Sequence, residues 1–152
     1  MRMKRLILAG FVLAVATVLS GCSTFNRDWN KAASNPIPPA SVAGAWDGKW
    51  LSDHNGHTGR LQCLFTENPD GTYQARFRAV YAKYIRVGYT ANFRMEPVTA
   101  GETKFQGSAD LGWLRGGLYG YEGRIRTTNF FSIYTNKYDH GTFEMNRAHE
   151  GK

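Results

Sequence analysis

Cysteine is scarce in this chain. Only Cys22 and Cys63 occur among 152 residues, which excludes the disulfide framework of small exported domains. Acidic residues are few as well, 12 Asp and Glu against 19 Lys and Arg. The excess is scattered, however: Arg76/Arg78 and Arg124/Arg126 alternate as on the outside of a strand. No basic helix or dense patch of the kind nucleic acid needs is present, so nucleic acid is not an expected partner. The glycine-rich stretch from Gly112 to Gly123 lacks a following Lys-Ser/Thr and a helix, which excludes a phosphate loop. A long apolar run occurs once, at the start.

That start has three parts. Met1-Arg2-Met3-Lys4-Arg5 is basic, Leu6 to Leu19 is apolar apart from Gly10 and Thr17, and Ser20-Gly21 are small. The order is that of a secretory signal peptide over residues 1–21. The apolar run is short of the ~20 residues that a spanning helix needs. Leu19-Ser20-Gly21-Cys22 resembles the lipobox of bacterial lipoproteins. That resemblance implies cleavage before Cys22, acylation of Cys22 (palmitate among the chains) and a membrane anchor. Ser23, in place of Asp, implies the outer membrane facing the periplasm. Two or more acyl chains anchor stably where one does not. The leader takes Arg2, Lys4 and Arg5 with it, so the formal charge of +7 falls by three. With Cys22 acylated, Cys63 has no intramolecular partner and reads as a small buried residue.

Residues 22–43 read as a lipidated N-terminus and tether. Phe25 and Trp29 are four apart, so a short helix is expected to rest on membrane or barrel. Asn35-Pro36-Ile37-Pro38-Pro39 then makes a stiff extended spacer. Residues 44–149 suit one domain with a core, and 150–152 form a tail.

The domain alternates with period two. Leu61, Cys63 and Phe65 share one face; so do Tyr73, Ala75, Phe77, Ala79 and Tyr81. Ile85, Val87, Tyr89, Ala91, Phe93 and Met95 continue the pattern, as do Phe105, Gly107, Ala109 and Leu111. Eight strands are expected near 45–52, 59–67, 72–81, 84–97, 102–111, 114–126, 128–135 and 139–147. The fold class is all-β, a single eight-stranded antiparallel up-and-down barrel, with a β-sandwich as the alternative. Gly112, Gly116, Gly117, Gly120 and Gly123 are expected where strands bend strongly.

Gly44-Ala45-Trp46 resembles the G-x-W motif of the lipocalins and avidins, the calycin group. The resemblance implies a barrel floor in which a basic residue of the last strand packs over the tryptophan. Here that residue is Arg147, on the inward phase with Phe143 and Met145. The polar set that binds biotin cannot be placed, so biotin does not carry over. The whole chain also resembles bacterial envelope lipoproteins.

Trp50, Phe65, Tyr73, Phe77, Tyr81, Tyr89, Phe93, Phe105, Tyr119 and Tyr121 are the candidate ligand-lining residues. Aromatic walls with phenols suit a small apolar or amphipathic ligand such as a lipid. Asp53, His54, His57, Asp139 and His140 are expected at the opposite rim. They are weak metal candidates, because their spacing fits no zinc motif, and no cofactor is implied. No nucleophile–base pair stands out. The expectation is a non-enzymatic lipoprotein with a ligand-binding barrel. The alternatives are a packed barrel that binds an envelope protein and a metal-dependent hydrolase at the rim.

Overall fold

The first strand has a hydrogen-bonded neighbour on each side, and this closes the sheet. A computed structural model describes residues 24–35 and 41–148. β1 (Gly44–Ser52) pairs antiparallel with β2 (Thr58–Glu67) along one edge and with β8 (His140–Arg147) along the other. Between them β3 (Tyr73–Tyr81), β4 (Ile85–Met95), β5 (Glu102–Asp110), β6 (Leu118–Arg126) and β7 (Asn129–Thr135) each pair with the next. The result is a closed eight-stranded up-and-down barrel, and not a sandwich. The expected signal peptide, the lipidation of Cys22, the Pro36–Pro39 spacer and the 150–152 tail lie outside the described residues.

Up-and-down order puts alternate loops at one end. Loops 53–57, 82–84, 111–117 and 136–139 form the mouth; loops 68–72, 96–101 and 127–128 and the incoming segment 41–43 form the floor end. The inward phases follow the alternation. Leu61, Cys63, Phe65, Ala75, Phe77, Ala79, Ala91, Phe93 and Phe105 are all buried.

The pattern is modified on β2, where outward Gln62 and Leu64 are buried as well. Residues 24–34 are helical (α1), and they rest on the outer wall of the barrel. Phe25, Asp28 and Trp29 fall on one helical face by their spacing. Phe25 is buried beneath the guanidiniums of Arg76 and Arg78, 5.6 and 5.2 Å from its ring centroid. Asp28 accepts from Arg76 at 3.0 Å, Asn26 and Gln62 both accept from Arg78, and Trp29 Nε1 donates to the Trp46 carbonyl at 3.3 Å. Lower-numbered helix residues meet the mouthward end of β3, so α1 runs antiparallel to β3.

Two expectations about the β5–β6 region are corrected. β6 begins at Leu118, because Trp113–Arg115 form a single 3-10 turn between Gly112 and Gly116. Gly112, Gly116 and Gly117 have φ of 76°, 94° and 74° and shape this loop, not a strand bend. Gly123 does serve close strand packing, since a Cβ there would stand 2.1 Å from the Phe131 carbonyl oxygen.

Candidate functional site

The interior divides into three levels. At the floor, Trp46 is fully buried and donates from Nε1 to the Val42 carbonyl at 3.1 Å. Arg147 lies opposite it in the β1–β8 register, its guanidinium carbon 4.1 Å from the ring centroid. The same guanidinium donates to the carbonyls of Ala43 (2.6 Å) and Ser41. A delocalised cation on an indole face, with its N–H groups on backbone oxygens, closes this end of the barrel. Burial lowers the Arg147 pKa from its ordinary value, but a guanidinium stays charged at any working pH.

Above the floor, Phe65, Phe77, Phe93, Phe105 and Phe130 fill the cross-section. Their centroids stand 5.0–6.5 Å apart, and each is almost wholly buried. Phe65, Phe77, Phe93 and Phe105 were among the candidate lining residues, and here each one's wall is another ring. Tyr73, at the floor end of β3, is half-buried away from the mouth.

The mouth is built from tyrosines. Tyr81, Tyr89, Tyr119 and Tyr121 converge there with Trp50, and Tyr134 joins them from β7. Phe77 stacks on Tyr89 at 5.1 Å and on Tyr121 at 6.3 Å, so this layer sits directly on the phenylalanines. Tyr119 contacts Tyr121 at 6.3 Å and Tyr134 at 6.2 Å, and Trp50 lies 4.4 Å from Tyr81. Trp50 Nε1 donates to the Val80 carbonyl at 3.1 Å, which fixes the indole across β1 and β3.

One carboxylate enters this layer. Asp139 accepts from Ser52 Oγ at 2.6 Å and from the Tyr134 hydroxyl at 3.1 Å. Ser52 and Tyr134 are both buried. Burial pushes the Tyr89 phenol well up, and the neighbouring Tyr121 adds to it; Tyr121 is raised by its own burial. Tyr134 is raised by burial and then by Asp139; Tyr81 and Tyr119 are raised chiefly by burial. At neutral pH the layer is therefore a set of protonated phenols beside the Asp139 side chain, a surface able to donate hydrogen bonds.

The rim histidines do not gather into a metal site. Asp53 and His140 are neighbours as expected, joined by a backbone hydrogen bond from Asp53 N to the His140 carbonyl at 2.9 Å. His54, His57 and His140 are exposed, while Asp139 is taken by Ser52 and Tyr134. Among the described residues no group of three or more His, Cys, Asp or Glu is placed to hold a metal ion. Cys63 is buried, and burial pushes its thiol well above the ordinary value, so it stays protonated.

Sequence reasoning missed Phe130 and Tyr134 as parts of this interior. In Asn129-Phe130-Phe131-Ser132-Ile133-Tyr134-Thr135 both phases carry apolar residues, so alternation alone gives no direction. No protein-family model, curated protein or solved structure matches this chain.

Proposed function

We propose that this protein is a lipid-anchored envelope lipoprotein with a calycin-like barrel whose mouth binds a small amphipathic molecule without transforming it. The observation that carries the reading is the tyrosine layer. Five phenols and an indole line the one end that Trp46 and Arg147 do not close, and Asp139 joins them through Tyr134 and Ser52. The ring faces accept an apolar body, and the phenol hydroxyls meet a polar head. The phenylalanine level below leaves the ligand a shallow seat, not a deep cavity. The calycin likeness is supported by Gly44-Ala45-Trp46 together with the Arg147 guanidinium 4.1 Å from that indole. The anchor rests on Leu19-Ser20-Gly21-Cys22, and outer-membrane placement on Ser23.

A specific observation also favours a second reading, an envelope protein-interaction role. The phenylalanine stack fills the barrel as a structural core does, which would leave only outer surfaces for recognition. Native mass spectrometry of the full-length protein, purified from its own membrane, separates the two. A fixed extra mass of small-molecule size beyond the acylated chain, diminished in Tyr119→Ala and Tyr134→Phe, supports the ligand reading. The bare acylated mass with the barrel folded overturns it in favour of the interaction role.

A further inference from the structure

The mouth carries a surface that nothing in the barrel covers. Tyr84 ends the β3–β4 turn and Ile85 opens β4, while Trp113 and Leu114 belong to the next loop around the rim and Leu118 opens β6 beside it. Trp113 is 86% exposed, Tyr84 84% and Leu114 78%. Exposed apolar residues are ordinary when single, but five gathered at two adjacent loops and the strand ends beside them form a patch. Lys83, Arg86 and Arg115 are exposed among them, with Asp110 as the acid of that sector.

The backbone of each loop has a defined shape. In the longer loop Gly112 accepts from Arg115 N and Gly117 N, Leu111 N donates to the Gly117 carbonyl, and Asp110 Oδ1 accepts from Gly112 N. Asn136 Nδ2 donates to the Gly116 carbonyl and ties this loop to the 136–139 loop. The β3–β4 turn sets Ala82 and Lys83 at φ 46° and 69°, a left-handed pair normally given to Asn and Gly. Between the two loops, the β4–β5 ladder is confined to Asn92–Met95 against Phe105–Ser108, away from the mouth.

The direction of α1 says what covers the patch. Asn26 meets Arg78, Asp28 meets Arg76 and Trp29 meets the Trp46 carbonyl. The helix therefore ascends toward the mouth as residue numbers fall. The described helix begins at Thr24, so the chain that precedes it joins α1 at the helix's mouthward end.

We infer that this rim sector docks on the interface of a phospholipid bilayer, with the barrel mouth turned toward the lipid. Tryptophan and tyrosine favour the headgroup level, the leucines and Ile85 reach the acyl boundary, and the three cations meet anionic headgroups. The inference rests on the anchored reading of Cys22 and gives the proposed ligand its route, because an amphipathic molecule passes from the membrane straight to the tyrosines.

The test uses the full-length protein and its Cys22→Ser variant with vesicles of phosphatidylethanolamine and phosphatidylglycerol, with and without bromine-labelled acyl chains. Trp113 is the one strongly exposed tryptophan among the described residues, so quenching that disappears in Trp113→Phe reports on the rim. The expected result is wild-type flotation with vesicles and blue-shifted, bromine-quenched Trp113 emission. Leu114→Ser with Leu118→Ser reverses the shift and the quenching without releasing the protein from vesicles. Lys83→Glu with Arg115→Glu weakens quenching on anionic vesicles only.

Flotation without any change in Trp113 emission overturns the inference and leaves the anchor standing. Quenching equal in Cys22→Ser and wild type supports the rim and removes the anchor. A concentration-dependent blue shift in buffer with no quenching on vesicles would show the patch to be a contact between two copies, and would also overturn it.

Discussion

Arg147 and Trp46 face each other across the seam where β8 meets β1, with the guanidinium carbon 4.1 Å from the indole centroid. This pair joins the two ends of the domain. Arg147 also holds the carbonyls of Ser41 and Ala43, on the segment that leads into β1. One side chain thus closes the sheet, caps the core and ties down the incoming chain.

Arg147→Ala removes the cation from the indole face and leaves carbonyls at the floor without a donor. The expected loss is about 3 kcal/mol, read from the midpoint of urea unfolding. Arg147→Lys keeps the charge but not the planar fork, so it should recover at most half. Equal stability of wild type and Arg147→Ala would show that the floor does not depend on this pair.

The β3–β4 turn is costly as it stands. Ala82 and Lys83 occupy left-handed backbone, which costs side chains with a Cβ roughly 1–2 kcal/mol per residue. Replacing the pair with Asn and Gly should stabilise the barrel by about 1–2 kcal/mol in thermal or urea unfolding. It should also weaken bilayer docking, because Lys83 goes. A stability unchanged or lowered would mean that the turn is not strained in this way.

Six of the eight tyrosines have raised phenol values, with burial as the first cause: Tyr73, Tyr81, Tyr89, Tyr119, Tyr121 and Tyr134. A phenol raised in the folded state contributes fully below its unfolded value, about 10. That contribution is lost as pH climbs from there through the folded values. Stability should be level on this account up to about pH 10 and then fall, with most tyrosinate absorbance appearing together with unfolding. Tyr89→Phe and Tyr121→Phe should make the fall shallower. Reversible ionisation of all eight phenols at the ordinary value, with the barrel intact, would contradict the buried layer.

The eight strands were legible because period-two alternation is strong wherever one face is wet. The floor was legible too, since Trp46 and Arg147 sit on inward phases at opposite ends of the domain. The division into phenylalanine and tyrosine levels was not. Which ring lies above which depends on the stagger between strands, and alternation fixes the face but not the height. Phe131 and Ile133 masked the inward phase of Phe130, Ser132 and Tyr134. The glycines of 112–117 suggested bending, but their positive φ values belong to a loop. Phe25 and Trp29 announced a helix that rests on something. That its seat is the two arginines of β3 and the Trp46 carbonyl depended on long-range contacts.

The α1 seat yields the last prediction. The Asp28 carboxyl is held below its ordinary value, first by the hydrogen bond from Arg76 and then by that from Arg27. A carboxyl lowered in the folded state contributes above its unfolded value, about 3.9, and that contribution is lost as pH falls through the lower folded value. Docking of α1 should therefore be constant from neutral pH down to about 4 and slacken below it. Hydrogen exchange at the amides of residues 24–34 should accelerate there while the barrel strands stay protected. Phe25 beneath its two arginines and the Trp29 donor remain, so the helix should loosen without leaving. Asp28→Asn should exchange faster at neutral pH and lose the acid dependence. An α1 whose protection follows the barrel through the acid range, in wild type and variant alike, would mean that apolar contact and not this ion pair fixes the helix on the wall.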